Sequence, residues 1–346
     1  MSRPRAEPGG ATLSTLSASS RRLALVGLAK NTGKTVALAQ LLRELEAQGR
    51  RAGVTSVGRD GEERDAIDSR IEKPRIQLAG GTLVATTDAL LRASAIPSDL
   101  LERTGVRTPL GEVLIARLRG PGAIEVAGPS ASEQVRAVSD SMLAHGAEQV
   151  LIDGAIDRRA ASSPGVADAL ILSTGAVLSQ DISELVDRTS KAVELLRLPA
   201  PETAANTIAL HPRFTLTAEV EQIAELLDAN PTTQSLLVPG SLPDGFMRAL
   251  AHVAGRRRRE LVLTVADPTK VFLFEHGLSW YARRGIRLRA RDKVELVAIT
   301  VNPVAPRSHS FDSAQLRVRL EEAIPDVAIF DVLDGSYTDR EPAGLA

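Results

Sequence analysis

Gly27-Leu28-Ala29-Lys30-Asn31-Thr32-Gly33-Lys34-Thr35 reads as a phosphate-binding loop. Before it, Arg22-Leu23-Ala24-Leu25-Val26 is a short apolar run suited to a buried strand. After it, Leu38, Leu41, Leu42 and Leu45 recur at helical spacing between Val36 and Gln48. Strand, Gly-Lys-Thr loop and helix in that order are the context in which the motif has a mechanism. Backbone N–H groups at the helix start point at bound phosphate, and the helix dipole favours an anion there. Gly33, with no Cβ, lets the backbone come close. Lys34 would reach the β- and γ-phosphates, and the Thr35 hydroxyl would ligate Mg²⁺. The expected nucleotide-binding set is Gly27, Lys30, Asn31, Thr32, Gly33, Lys34, Thr35 and Val36, with Lys34 also catalytic.

The rest of the chain bounds what such a loop serves. At 346 residues it is long enough for two domains or one large α/β domain. Its 42 basic and 43 acidic side chains nearly cancel, so no overall charge drives it toward nucleic acid or an anionic membrane; neither is an expected partner. Cysteine is absent, which excludes disulfides, iron–sulfur clusters and thiolate zinc sites. His145, His211, His252, His276 and His309 show no metal-ligand spacing. No run approaches the roughly 18 apolar residues of a transmembrane helix. Residues 1–20, rich in Ser, Pro, Gly and Ala, read as a disordered tail with no secretory-signal core. A cytoplasmic setting is the default expectation.

Short apolar runs alternate with helical patterns. Strands are expected at Ala52–Val57, Val113–Leu118, Ala123–Ala127, Val150–Ile152, Ala169–Leu172, Ser235–Val238, Leu261–Val265, Leu296–Val301 and Val327–Phe330. Gly120-Pro121-Gly122 suggests a hairpin between the second and third of these. Helices are expected at Ser132–Ala144, capped by Ser132 and ended by Gly146, at Glu219–Leu227 and at Gln315–Ala323; Gly49 stops the helix after the loop. Continuous apolar strands separated by helices suit a mostly parallel sheet covered by helices on both faces. The expected fold class is α/β, P-loop NTPase-like given the Gly-Lys-Thr loop. Pro199, Pro201 and Asn206 mark a boundary near residue 200. Residues 21–200 would carry the nucleotide site, and 201–346 would be a second α/β region, separate or continuous with the first.

In open α/β sheets ligands bind at the carboxyl ends of strands. Val57-Gly58-Arg59-Asp60-Gly61-Glu62 follows one such end; Asp60 or Glu62 could hold a Mg²⁺-bound water or position a nucleophile, unless the loop is only a solvated charged turn. Leu151-Ile152-Asp153-Gly154 is an apolar run ending on an acid, so Asp153 would hold Mg²⁺ beside the γ-phosphate, directly or through water; the plainer alternative is an acid that caps a turn. Ile299-Thr300-Val301-Asn302-Pro303 ends on Asn302, whose donor and acceptor could pair with a base edge, or which simply opens an Asn-Pro turn. Asp157 and Arg158 are secondary candidates. The run Arg256–Arg259 has no interleaved aromatics and reads as the solvated end of a helix. Trp280 and Tyr281 read as core anchors.

The motif departs from the common G-x-x-x-x-G-K-[ST] spacing: Leu28 stands where the first glycine belongs, and Gly27 precedes it. This longer loop resembles the dethiobiotin synthetase type and, more broadly, the class that includes MinD-like and cobyrinate-synthase-like proteins. Asn302-Pro303 resembles the adenine-recognising position of dethiobiotin-synthetase-like enzymes. The ordered series Gly27–Thr35, Thr55–Glu62, Pro109–Val113, Ala127–Ser130, Ile152–Arg158 and Thr300–Pro303 resembles the P-loop subunit of the lysine 5,6-aminomutase reactivase. That resemblance implies an ATP- and Mg²⁺-dependent, chaperone-like partner of an adenosylcobalamin-dependent mutase. It would work with a second reactivase subunit to release damaged cobalamin. ATP hydrolysis would be its only chemistry: Lys34 on the phosphoryl group, Thr35 and Asp153 on Mg²⁺, Asp60 on water. Two alternatives stand beside it. One is a dethiobiotin-synthetase-like ligase, against which count the missing lysine after Thr55-Ser56-Val57 and the missing second glycine pair after Asp153. The other is a nucleotide-gated interaction protein.

Overall fold

The computed structural model describes residues 12–58, 75–155, 163–202, 206–255, 260–306 and 308–333. The chain forms two compact units. One combines the chain up to Asp187 with the chain from Val294 onward, and the other is Arg188–Lys293. In the first unit run β1 (Arg22–Gly27), β2 (Ala52–Ser56), β3 (Ile76–Leu78), β4 (Leu83–Thr87), β5 (Ser98–Thr108), β6 (Gly111–Leu118), β7 (Gly122–Ile124), β8 (Gln149–Ala155) and β9 (Ala169–Gly175). The second unit carries β10 (Thr207–Ala209), β11 (Ser235–Val238), β12 (Leu242–Pro243), β13 (Leu261–Val265), β14 (Val271–Phe272) and β15 (Ile286–Ala290). Then β16 (Glu295–Asn302) and β17 (Ala328–Asp331) return to the first. The first unit also includes helices α1 (Leu13–Leu16), α2 (Lys34–Ala47), α3 (Asp88–Ala93) and α4 (Ser132–Ala144), and a further helix spans Ser313–Ala323.

The first unit is built on a nine-stranded sheet in the order β17-β16-β9-β1-β8-β2-β4-β6-β5. From β17 to β4 every pairing is parallel, while β6 runs antiparallel to both β4 and β5. The fold is therefore α/β with a large, mostly parallel sheet. β1, the strand that feeds the Gly-Lys-Thr loop, sits near the middle and is buried from Leu23 to Gly27. Leu38, Leu41, Leu42 and Leu45 of α2 share one apolar cluster with Leu23, Leu25, Val54 and Ile171. Each such leucine contributes about 1.5–3 kcal/mol by leaving water. α4 covers the opposite face. Gly53 alternates with Val54 along β2, and a Cβ on it would lie 2.9 Å from Met142 of α4.

α2 ends as its sequence dictates. Gly49 adopts φ +69°, and its N–H and that of Arg50 close back on Glu46 and Leu45 at 2.9 Å each, a Schellman ending that glycine permits. α4 spans the expected residues, but Ala131, not Ser132, occupies its N-cap and donates no side-chain cap.

Three expectations are corrected. Of the expected 1–20 tail, Thr12–Ser20 is structured. Leu13 is buried, Ser14 N–H donates to Glu44 at 2.8 Å, and Gln149 Nε2 donates to the carbonyls of Ser17 and Ser20 at 2.8 and 2.9 Å. Residues 1–11 lie outside the described residues. The hairpin expected across Gly120-Pro121-Gly122 does not form. β6 turns back onto β5 through Pro109-Leu110, and β7 pairs with β3. Finally, the chain does not divide into 21–200 and 201–346. The first stretch of the first unit ends at Asp187, near the expected boundary, but Leu296–Val301 becomes an interior strand of its sheet, paired with β9.

The second unit has its own parallel sheet, β10-β11-β13-β15, beside the short parallel pair β12 and β14. Helices α5 (Val220–Ala229) and α6 (Asp244–Ala254) contribute Ile223, Leu227, Phe246, Met247 and Leu250 to its core. Tyr281 is fully buried there as an anchor, and its hydroxyl donates to Asp244 at 3.3 Å. Burial, and then the neighbouring Asp244 carboxylate, push its phenol above the usual tyrosine range. Trp280 stacks on His276 with centroids 3.8 Å apart. Among the described residues no helix is long and apolar enough to cross a membrane.

Candidate functional site

The carboxyl ends of β1, β8, β9 and β16 meet at one place in the first unit. β8 pairs directly with β1, so Asp153 lies opposite Leu25 and Ala155 opposite Gly27; β9 flanks β1 on the other side, with Ser173 opposite Gly27. The loop after β1 is fixed by its own chemistry. Leu28 N–H donates to Ser173 O at 2.9 Å, and the buried Thr32 hydroxyl donates to Ala29 O at 3.0 Å. A Cβ on Gly27 would stand 2.6 Å from that hydroxyl, so the glycine is required for the loop to fold over itself.

Asn31 (φ +65°) and Gly33 (φ +86°) both take left-handed backbone, on either side of Thr32. Asn tolerates this conformation better than most residues, and Gly adopts it freely. Gly33 caps α2, whose first bond runs from Ala37 N–H to Gly33 O at 2.9 Å. The N–H groups of the first turn, Lys34, Thr35 and Val36, precede the helical ladder and are left for an outside acceptor.

Lys34 and Asp153 are brought together: Nζ lies 2.6 Å from Oδ1, with the two side chains 21% and 27% exposed. The Asp153 carbonyl also accepts from Val57 N–H at 2.9 Å, tying β2 to the site. Thr35 follows Lys34 in the first helical turn, so the oxygens of Thr35 and Asp153 are those a divalent cation could use. Among the described residues no group of three or more His, Asp or Glu side chains forms a metal cage.

Asn302, at the end of β16, is placed against the loop itself. Its Nδ2 donates to Asn31 O at 2.9 Å and its Oδ1 accepts from Val304 N–H at 3.1 Å. Val332, just after β17, comes within 3.0 Å of where a Cβ on Gly33 would be. Asp60, Glu62, Asp157, Arg158 and Arg256–Arg259 lie outside the described residues.

One feature had no assigned role in the sequence. Residues 125–129 lie across the ends of β2 and β4, and two hydroxyls hold them there, while a third ties β2 to β4 beneath them. Thr86 Oγ1 donates to Glu125 O at 3.3 Å and accepts from Ala127 N–H at 3.1 Å. Ser56 Oγ donates to Val126 O at 3.2 Å and accepts from Gly128 N–H at 3.1 Å. Thr55 Oγ1 donates to Ala85 O at 3.3 Å. Gly58 N–H donates to Pro129 O at 2.7 Å. The legible signal was Thr and Ser closing two neighbouring strands, Thr55-Ser56 and Thr86-Thr87.

No family model, curated protein or solved structure matches this chain.

Proposed function

We propose that this chain is an ATP-dependent protein of the P-loop NTPase class. We further propose that it serves as a chaperone-like reactivase subunit for an adenosylcobalamin-dependent lysine 5,6-aminomutase, acting in the cytoplasm with a second subunit. The observation that carries the nucleotide reading is Lys34 beside Asp153 at the start of α2. A cation for phosphate, a carboxylate for a divalent ion and a run of helix-start amides then occupy one spot. This donor set fits Mg²⁺-ATP. Lys34 and the amides of residues 32–36 would hold phosphate oxygens, and Thr35 and Asp153 would hold Mg²⁺, which neutralises phosphate charge when bound. Amides and helix dipole together favour an anion by about 0.3–2 kcal/mol.

The partner half of the proposal rests on the ordered motifs, Gly27–Thr35 through Thr300–Pro303. The placement of residues 125–129 supports a protein that hydrolyses ATP without a small acceptor. The hydroxyls of Thr55, Ser56 and Thr86, at the strand ends where a ligase would seat one, are spent on backbone.

The test is Mg²⁺-ATP binding by calorimetry, followed by hydrolysis alone and with the mutase and second subunit. Lys34→Ala is expected to weaken binding about tenfold to a hundredfold, as loss of a charged hydrogen bond does, with an unchanged circular dichroism spectrum. Turnover should rise with the partners. Equal binding by wild type and Lys34→Ala would sink the site. Tight binding with no turnover under any condition would leave a nucleotide-gated interaction protein, and fast turnover by the chain alone would point to an independent enzyme.

A further inference from the structure

Asn302 stands two strands away from β1, with β9 between. Its side chain nonetheless reaches the loop, because the position beside it is a glycine. Gly175 pairs with Asn302, and a Cβ there would lie 2.5 Å from Asn302 O and 3.0 Å from Asn302 Cβ. Asn302 Cβ in turn lies 3.1 Å from where a Gly33 Cβ would stand. Two glycines thus clear the space in which the asparagine lies against the loop.

The orientation of the amide is determined by its partners. A carbonyl can only accept and a backbone N–H can only donate, so Nδ2 faces Asn31 O and Oδ1 faces Val304 N–H. Asn31 C=O and Thr32 N–H belong to one planar trans peptide unit and point in opposite directions. Holding the oxygen against Asn302 therefore turns the Thr32 N–H away from Asn302. Asn31 is also the loop's one non-glycine in left-handed backbone, a conformation unfavourable for ordinary L-residues that benefits from an external tie.

We infer that Asn302 is a positioning residue for the phosphate loop: it fixes the Asn31–Thr32 peptide plane and with it the loop's affinity for the phosphate chain, whatever base is attached. This rests on the nucleotide reading above and differs from a base-reading role in what it predicts.

The experiment measures binding of Mg²⁺-ATP, Mg²⁺-GTP and inorganic tripolyphosphate to wild type, Asn302→Ala and Asn302→Ser. The serine keeps a local acceptor for Val304 N–H but does not reach Asn31, so it separates the turn from the tie and remains available if the alanine variant folds poorly. Both variants are expected to lose about tenfold in affinity for all three ligands, the equivalent of one hydrogen bond, with the ATP-to-GTP ratio unchanged. Hydrogen exchange at the Leu28 and Ala37 amides, which bond Ser173 O and Gly33 O on either side of the loop, should quicken in the ligand-free variants while exchange in the rest of β1 and in β8 stays as in wild type. Tripolyphosphate binding unchanged while ATP weakens would overturn the inference in favour of base reading. So would undisturbed exchange at Leu28 and Ala37. Wild type that binds none of the three would instead refute the nucleotide reading itself.

Discussion

At the residue scale the site depends as much on missing side chains as on present ones. Gly128 packs so closely that a Cβ would sit 2.0 Å from Ser56 O. Gly128→Ala must push residues 125–129 off the ends of β2 and β4 and strain the Ser56 bonds with them. We expect a loss of about 1–3 kcal/mol in urea unfolding, the range for overpacking. Gly120, whose Cβ would meet nothing within 4 Å, is the control: Gly120→Ala should stay within about 0.5 kcal/mol. Equal stabilities for the two variants would refute the packing of residues 125–129. Candidate residues were more legible here than contacts. Lys34, at the start of a helix, and Asp153, in a strand near its end, could each be singled out from residue type and local position alone. The Asn302–Asn31 bond was not, since its partners are 271 residues apart and an Asn-Pro pair at a strand end looks the same whether it reads a base or ties down a loop.

At the scale of elements, legibility followed burial. β1, β8, β9, β11, β13 and β16 are apolar runs because their neighbours cover them, and they stood out. β5 did not. It is an edge strand carrying Asp99, Glu102, Arg103 and Arg107, half-exposed along its length and irregular in register. Charges and bulges are what protect an edge from pairing with another chain, and they erase the apolar pattern by which a strand is found. One of those charges joins β5 to α4. Glu102 accepts hydrogen bonds from the Ser141 hydroxyl and from His145 Nε2, the latter at 2.9 Å. First the Ser141 bond and then the His145 bond hold its carboxyl below the usual glutamate range. The stability it adds is therefore present above the ordinary glutamate pKa near 4.3 and fades as pH falls through the lower folded value. Because the side chain is more than a third exposed, solvent screening keeps the effect under about 1 kcal/mol. Glu102→Gln should be less stable than wild type near neutrality, and the gap should close on acidification below pH 4 or so. A gap that widened in acid, followed by chemical denaturation across that range, would contradict the arrangement.

At the scale of the molecule, the chain leaves the first unit at Asp187, builds the second and comes back at Val294. A chain ended after Lys293 would lack β16 and β17 and would expose β9, buried along all seven of its residues, as an open sheet edge. We expect that truncation to aggregate on size-exclusion chromatography and to lose the cooperative thermal transition of the first unit. A soluble fragment melting like the full chain would mean that β16 and β17 are dispensable to the sheet. Apolar runs revealed that Leu296–Val301 was a strand, but strand partners are a property of topology and no local pattern encodes them.

That return path also imposes an order in time. At about 5–20 residues per second of synthesis, Asn302 follows Asn31, 271 residues earlier, by tens of seconds. Through that interval the nascent loop has its lysine but neither the asparagine that ties it nor the strand that bears it. A stalled or prematurely released chain therefore carries the motif without its finished geometry, and on the nucleotide reading proposed above any grip on phosphate matures only once β16 has joined the sheet.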